Sequence, residues 1–95
     1  PELLIMDEPL VGMDIAQIKS MHQFFSKLAE QGMSQIISSH NAHHLLNIAD
    51  ELLILNHGKV RFQGTKEAFL TLCNNDFAKV DQTILDIIDF TEVNL

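Results

Sequence analysis

Asp7 and Glu8 are adjacent carboxylates that follow the apolar run Leu3-Leu4-Ile5-Met6 directly and are themselves followed by Pro9. Side chains of consecutive residues leave an extended backbone in opposite directions, so two such acids can divide labour, one holding a cation while the other polarises water. His40 is a third candidate, next to Ser39 at the end of the short run Gln35-Ile36-Ile37-Ser38. An acid pair at a strand end is also what a plain solvated terminus looks like. The elements around the pair decide between the two readings.

An unbroken apolar run of this length suits a strand buried on both faces of a parallel sheet. Pro9 stops it, because proline cannot donate to a ladder. Open α/β sheets bind ligands outside the carboxyl ends of their strands, which is where Asp7 and Glu8 stand. Beyond the loop Leu10-Val11-Gly12-Met13, residues Ile15, Ile18, His22, Phe25 and Leu28 recur at helical spacing. Asp14 is placed to cap that helix, with Gln17 as the partner of a capping box and Gly32 at its end. Gln35 to Ser38 then reads as a second buried strand, delivering Ser39 and His40 to the same sheet edge as the acids, since right-handed crossovers stack such ends together. A helix over about Ala42 to Ala49 follows, then a strand over Glu51 to Leu55 and a hairpin turn at His57-Gly58. The return strand is Lys59 to Gln63, with Gly64 ending it and Thr65 capping a further helix. Asn74-Asn75-Asp76 is a break, and the pattern of Thr83 to Phe90 fits either a helix or a strand, of which helix is preferred.

The chain has 95 residues, 46% hydrophobic, with a formal net charge of −7. Its six Lys and Arg are scattered and form no patch that could neutralise phosphates, which argues against a nucleic-acid partner. No apolar run approaches the roughly 20 residues a membrane span needs. A single cysteine, Cys73, cannot form an internal disulfide and reads as a small buried hydrophobe near a helix end, which fits a reducing cytoplasm. The chain opens on Pro1 and enters a core strand almost at once, so it is expected to be a piece of a longer protein.

Taken in order, these signals resemble the C-terminal part of an ABC-type ATPase (ATP-binding cassette) domain, from the Walker-B strand onward. Leu3 to Asp7 looks like that strand, Glu8 like the catalytic glutamate, Val11-Gly12-Met13-Asp14 like the D-loop, and Ser39-His40 like the switch histidine. Ala49 to Val60 is similar to the strand and hairpin beyond that histidine. The resemblance covers about Glu2 to Leu72. It implies a partial P-loop NTPase (RecA-like) α/β core with a mostly parallel sheet, helices on its faces and a C-terminal β-hairpin. Residues 1–73 would be the ATPase portion and 74–95 a C-terminal extension.

In function, the resemblance implies the ATP-binding subunit of an ABC transporter, hydrolysing ATP with Mg²⁺ at the interface of two such domains, as a homo- or heterodimer. The subunit would be cytoplasmic, held at the inner face of the membrane by a transmembrane partner. Asp7 would hold Mg²⁺ through water, Glu8 would orient or deprotonate the attacking water, and His40 would contact the γ-phosphate and that water. Gly12, Asp14 and Ser39 are the other residues carried over to nucleotide binding. Val11 departs from the small polar residue usual at its position. No Gly-x-x-x-x-Gly-Lys-Ser/Thr loop occurs in the chain, so these residues alone lack the phosphate cradle and are expected to be inactive.

Two other functions fit parts of the same sequence. His40 and His44 are four apart, the spacing of a zinc-binding pair on one helix face with His43 between them, but no general-base acid follows the first histidine. A non-catalytic interaction or remnant module is the other. Finally, in the family resembled, the phosphate-loop strand lies between the strands at Gln35 to Ser38 and Leu52 to Leu55. That strand is absent from these residues, so exposed strand edges are expected to drive self-association.

Overall fold

A computed structural model describes residues 2–93, and in it the chain forms two compact units, Pro1–Ile48 and Ala49–Leu95. Pro1, on which the expectation of a longer parent rests, lies outside the described residues, as do the last two positions of the 74–95 segment.

The first unit runs β1 (Leu3–Asp7), α1 (Ile15–Glu30), β2 (Ser34–Ser38) and α2 (Ala42–Leu46). β1 and β2 pair in parallel, with Leu3 opposite Ser34 and Asp7 opposite Ser38. The crossover between them is α1, whose start is fixed locally. Asp14 Oδ1 accepts the Gln17 amide at 2.8 Å, and the Gln17 side chain accepts the Asp14 amide at 2.9 Å, closing the expected capping box. Gln35 Nε2 donates to the Phe25 carbonyl at 3.0 Å and ties α1 to the face of β2 that also carries Ile37. Leu10, Phe25 and Leu46 are the buried apolar residues of this unit. Truncating Phe25 to alanine removes contacts worth about 3 to 5 kcal/mol in a filled core.

The expectation that β1 and β2 are buried on both faces is not met. Along each strand exposure alternates: Leu4, Met6, Gln35 and Ile37 are half-buried, while Leu3 (57%), Ile5 (68%) and Ile36 (56%) are exposed. The reason is coverage: within this unit α1 supplies a lid for one face of a two-stranded sheet, and the residues at odd positions of β1 point the other way. α2 is shorter than the expected Ala42 to Ala49, ending at Leu46. There Asn47 and Ile48 donate to the carbonyls of His44 and Leu45, tightening the last turn to three-residue spacing.

The second unit runs β3 (Glu51–Asn56), β4 (Lys59–Thr65), α3 (Lys66–Leu72) and α4 (Val80–Val93), with one turn of 3₁₀ helix at Phe77–Lys79. β3 and β4 form the expected hairpin. Its two-residue turn places both His57 (φ 51°) and Gly58 (φ 72°) in the left-handed region, the combination that matches strand twist. Ile54 faces Phe62 while Leu55 faces Val60, so Arg61 is the extra residue of a bulge. Gly64 does not end the strand as expected. It pairs with Leu52, and a Cβ there would stand 3.1 Å from the Phe62 ring, so the glycine makes room for that ring rather than for a turn. Phe62 in turn meets Phe69 of α3 edge-on, at 5.7 Å between centroids.

Thr65 caps α3 by accepting the Ala68 amide at 3.1 Å. Asn74 and Asn75 (φ 56° and 55°) then make the break, in the conformation asparagine tolerates best among non-glycine residues. Beyond them Thr83 to Phe90 is helical, within α4, which packs against β4. Phe69, Cys73 and Val80 are fully buried, so Cys73 is the small core residue its sequence context indicated.

Among the described residues each unit holds one two-stranded sheet, parallel in the first and antiparallel in the second, making this a mixed α/β protein. Exposed Leu3, Ile5 and Ile36 on the first sheet, and Leu53, Leu55 and Val60 on the second, form apolar rows beside unpaired edges. At micromolar concentration, static light scattering of the 95-residue chain is therefore expected to give a mass above 10.7 kDa, reduced by Ile5→Lys combined with Ile36→Lys. A sharp monomer mass for the unsubstituted chain contradicts this.

Candidate functional site

Parallel pairing sets the carboxyl ends of β1 and β2 side by side, so the residues that leave those ends meet. Asp7 closes β1 directly opposite Ser38, which closes β2. Glu8 follows with φ 49°, a left-handed backbone that a non-glycine residue adopts at a cost of about 1 to 3 kcal/mol. What holds it there is its own amide, which donates to the Ser38 carbonyl at 3.0 Å and to the Ser38 hydroxyl at 3.2 Å. The same hydroxyl donates to Asp7 Oδ1.

His40 comes back to the acids. Its Nδ1 contacts Glu8 Oε1, although the two residues are 32 apart in sequence. The imidazole is fully open to solvent (99%) and the Glu8 side chain much less so (24%). An ionised carboxylate only accepts, so in this contact Nδ1 carries the proton and the Nε2 of a neutral ring is an acceptor. Donation from Nε2 to an anion then takes a second proton on the ring.

Among the expected site residues, Asp7, Glu8 and His40 are thus brought together. Gly12 and Asp14 lie on the loop from β1 to α1, and neither is hydrogen-bonded to the acid pair among the described residues. Gly12 has φ 80° with open space around it, so its glycine serves the turn and not a close approach. The Asp14 carboxylate is engaged as the α1 cap. Ser39 spends its hydroxyl on the turn into α2, accepting the Asn41 amide at 2.9 Å. Ser38, which bonds to both acids, is in the sequence simply the last residue of a strand. Its signal was the strand register, which places it opposite Asp7.

For a magnesium ion the site offers the Asp7 carboxylate, and among the described residues no cluster of three potential ligand side chains occurs. A hard cation takes oxygen ligands, and Mg²⁺ is commonly held by one or two carboxylates together with substrate phosphates and retained waters. Asp7, exposed at the strand end, supplies such a carboxylate. The zinc reading loses its geometric basis. α2 begins at Ala42 with Asn41 as its cap, accepting the His44 amide at 3.1 Å, so His40 lies outside the helix and shares no helix face with His44.

No family model matches the chain. Individual proteins do. It is 33% identical over 87 residues, 92% of its length, to a putative ABC transporter ATP-binding protein of Pyrococcus abyssi. It is 36% identical over 73 residues to the vitamin B12 import ATP-binding protein BtuD of Escherichia coli, and 34% identical over 70 residues to the BtuD of Photobacterium profundum. The chain is part of an ABC-type ATPase domain. It spans about one third of the length of these ABC relatives: 34%, 29% and 28% respectively. The 87 matched residues include positions beyond Leu72, where the motif-based resemblance stopped. Among the described residues no helix is long and apolar enough to cross a membrane.

The ABC-type segment carries one buried-histidine signature outside the acid site. His22 of α1 is half-buried with its Nε2 shielded from solvent and unpartnered, and its pKa is lowered from 6.5, first by burial and second by the nearby His44 of α2. A histidine that resists protonation when folded takes up more protons when unfolded. The stability it permits is therefore present above pH 6.5 and lost as the pH falls from there through the lowered folded value. Thermal unfolding midpoints measured from pH 7.5 to 5.0 should fall with acidification, and fall less in His22→Gln. An identical acid-side loss in the variant contradicts that assignment.

Proposed function

We propose that this segment supplies the metal-holding and water-activating side of an ATPase site in the ATP-binding subunit of an ABC transporter. The observation that supports the reading is the meeting of Asp7, Glu8 and His40 at one end of the β1–β2 pair. Asp7 would hold, through water, a Mg²⁺ ion that, when bound with ATP, offsets the charge of the phosphates. Glu8 accepts a proton from, or orients, the water that attacks the γ-phosphate, using the oxygen that His40 leaves uncommitted. His40 holds the Glu8 carboxylate in place through Nδ1 and presents Nε2 towards the phosphate side, where a protonated ring donates and a neutral one accepts.

The remaining parts of the site come from outside these residues. A P-loop elsewhere in the full-length protein cradles the phosphates, and a second ATP-binding domain completes the site across a dimer interface, approached by the loop carrying Gly12 and Asp14. Ser39 orders the turn that presents His40. The subunit works in the cytoplasm, coupled to the membrane by a transmembrane partner. The core to which β1 and β2 contribute is then the RecA-like sheet of P-loop NTPases.

In the full-length protein, Glu8→Gln is expected to lower ATP turnover by about 10²-fold or more while leaving nucleotide affinity nearly intact, because the amide keeps the shape but accepts no proton. Asp7→Asn should weaken Mg²⁺-dependent binding instead, and His40→Ala should slow hydrolysis with little change in affinity. Turnover at the normal rate in Glu8→Gln removes Glu8 from the role assigned to it. The 95 residues on their own are expected not to bind a fluorescent ATP analogue at low micromolar concentration, since one or two carboxylates hold Mg²⁺ weakly unless phosphates are held independently. Tight binding displaced by ATP contradicts this.

A further inference from the structure

The Ser38 hydroxyl makes two bonds to the two acids. As a donor it reaches Asp7 Oδ1, and as an acceptor it takes the Glu8 amide at 3.2 Å. A hydroxyl has one proton to give and lone pairs to receive, so a single atom at the end of β2 can satisfy both bonds at once. The neighbouring Ser39 makes a different bond, accepting the Asn41 amide at 2.9 Å in the turn that follows His40. Two consecutive serines of the same chemistry are therefore split between the acids and the turn.

We propose that Ser38 is a positioning residue for the Asp7 carboxylate. The proposal rests on the reading given above, in which the Asp7 carboxylate holds Mg²⁺ through the ion's waters. A carboxylate at an exposed strand end otherwise samples several rotamers, and ordering it on metal binding costs conformational entropy. The Ser38 hydroxyl occupies one oxygen of Asp7 from the strand directly opposite and leaves the rest of the carboxylate to face a cation. It also holds the amide of Glu8, so the two acids depart from points fixed to the same residue. Partners of this kind, bonded to a metal ligand and not to the metal, commonly set metal affinity 10- to 100-fold.

Removing the hydroxyl leaves the backbone intact. The Glu8 amide still has the Ser38 carbonyl at 3.0 Å, which an alanine retains, so Ser38→Ala is expected to keep the thermal midpoint of the parent. Ser38→Thr keeps a hydroxyl on a residue that strands favour.

The test measures, in the full-length protein, the Mg²⁺ concentration that half-saturates binding of a fluorescent ATP analogue, alongside turnover at saturating Mg²⁺. Ser38→Ala is expected to raise the half-saturating concentration roughly 10- to 100-fold with turnover recovered at high Mg²⁺, and Ser38→Thr to restore it. An unchanged half-saturation in Ser38→Ala, with Asp7→Asn raising it, overturns the role of Ser38 alone. If Asp7→Asn leaves it unchanged as well, Asp7 does not hold the metal and both readings fall.

Discussion

Parallel pairing of β1 with β2 is the constraint on which the candidate site depends. Two parallel strands end at the same edge, and the register that sets Asp7 against Ser38 decides which residues arrive there together. A slip of one residue would turn Asp7 to the opposite face and separate it from the hydroxyl that now binds it. The crossover through α1 is what makes the pairing parallel. Its start is anchored by the capping box at Asp14, and it is tied to the face of β2 through the Gln35 bond to the Phe25 carbonyl. Local capping, helix packing and the meeting of the acids are thus consecutive links of one chain of causes.

Within the first unit, the left-handed non-glycine residue stands in the same place. Glu8 is a non-glycine residue with a left-handed backbone, fixed by two bonds from its amide to one serine and by the contact of its carboxylate with His40. An acid so over-determined has little freedom to swing away from a substrate, which is what a general base requires of its support. Asp7 is at the opposite extreme, exposed at the strand end with the Ser38 hydroxyl bonded to its carboxylate.

How far the sequence predicted this depends on the range of the interaction. The Asp14–Gln17 capping box, the Thr65 cap and the His57-Gly58 turn involve residues within three positions of one another, and all formed as read. The ambiguous Thr83 to Phe90 segment is helical, and the break before it falls at Asn74-Asn75. Sequence and structure differ where the outcome depends on what covers an element: Leu3, Ile5 and Ile36 are apolar, yet each is more than half exposed. Gly64 was misread because its role is set by the Phe62 ring above it. In the site, Asp7, Glu8 and His40 were legible as residue types at strand ends. The bonds of Ser38 were not, since they follow from a register between residues 31 apart.

The central claim is that Glu8 and His40 form one unit, with the imidazole proton at Nδ1 directed to the carboxylate. Long-range ¹⁵N–¹H NMR of the histidine rings tests it directly, because the two nitrogens of a neutral imidazole report their protonation separately. The account predicts a neutral His40 ring protonated at Nδ1, with that preference lost in Glu8→Ala. A neutral ring protonated at Nε2, and unchanged by removal of the Glu8 carboxylate, would contradict it.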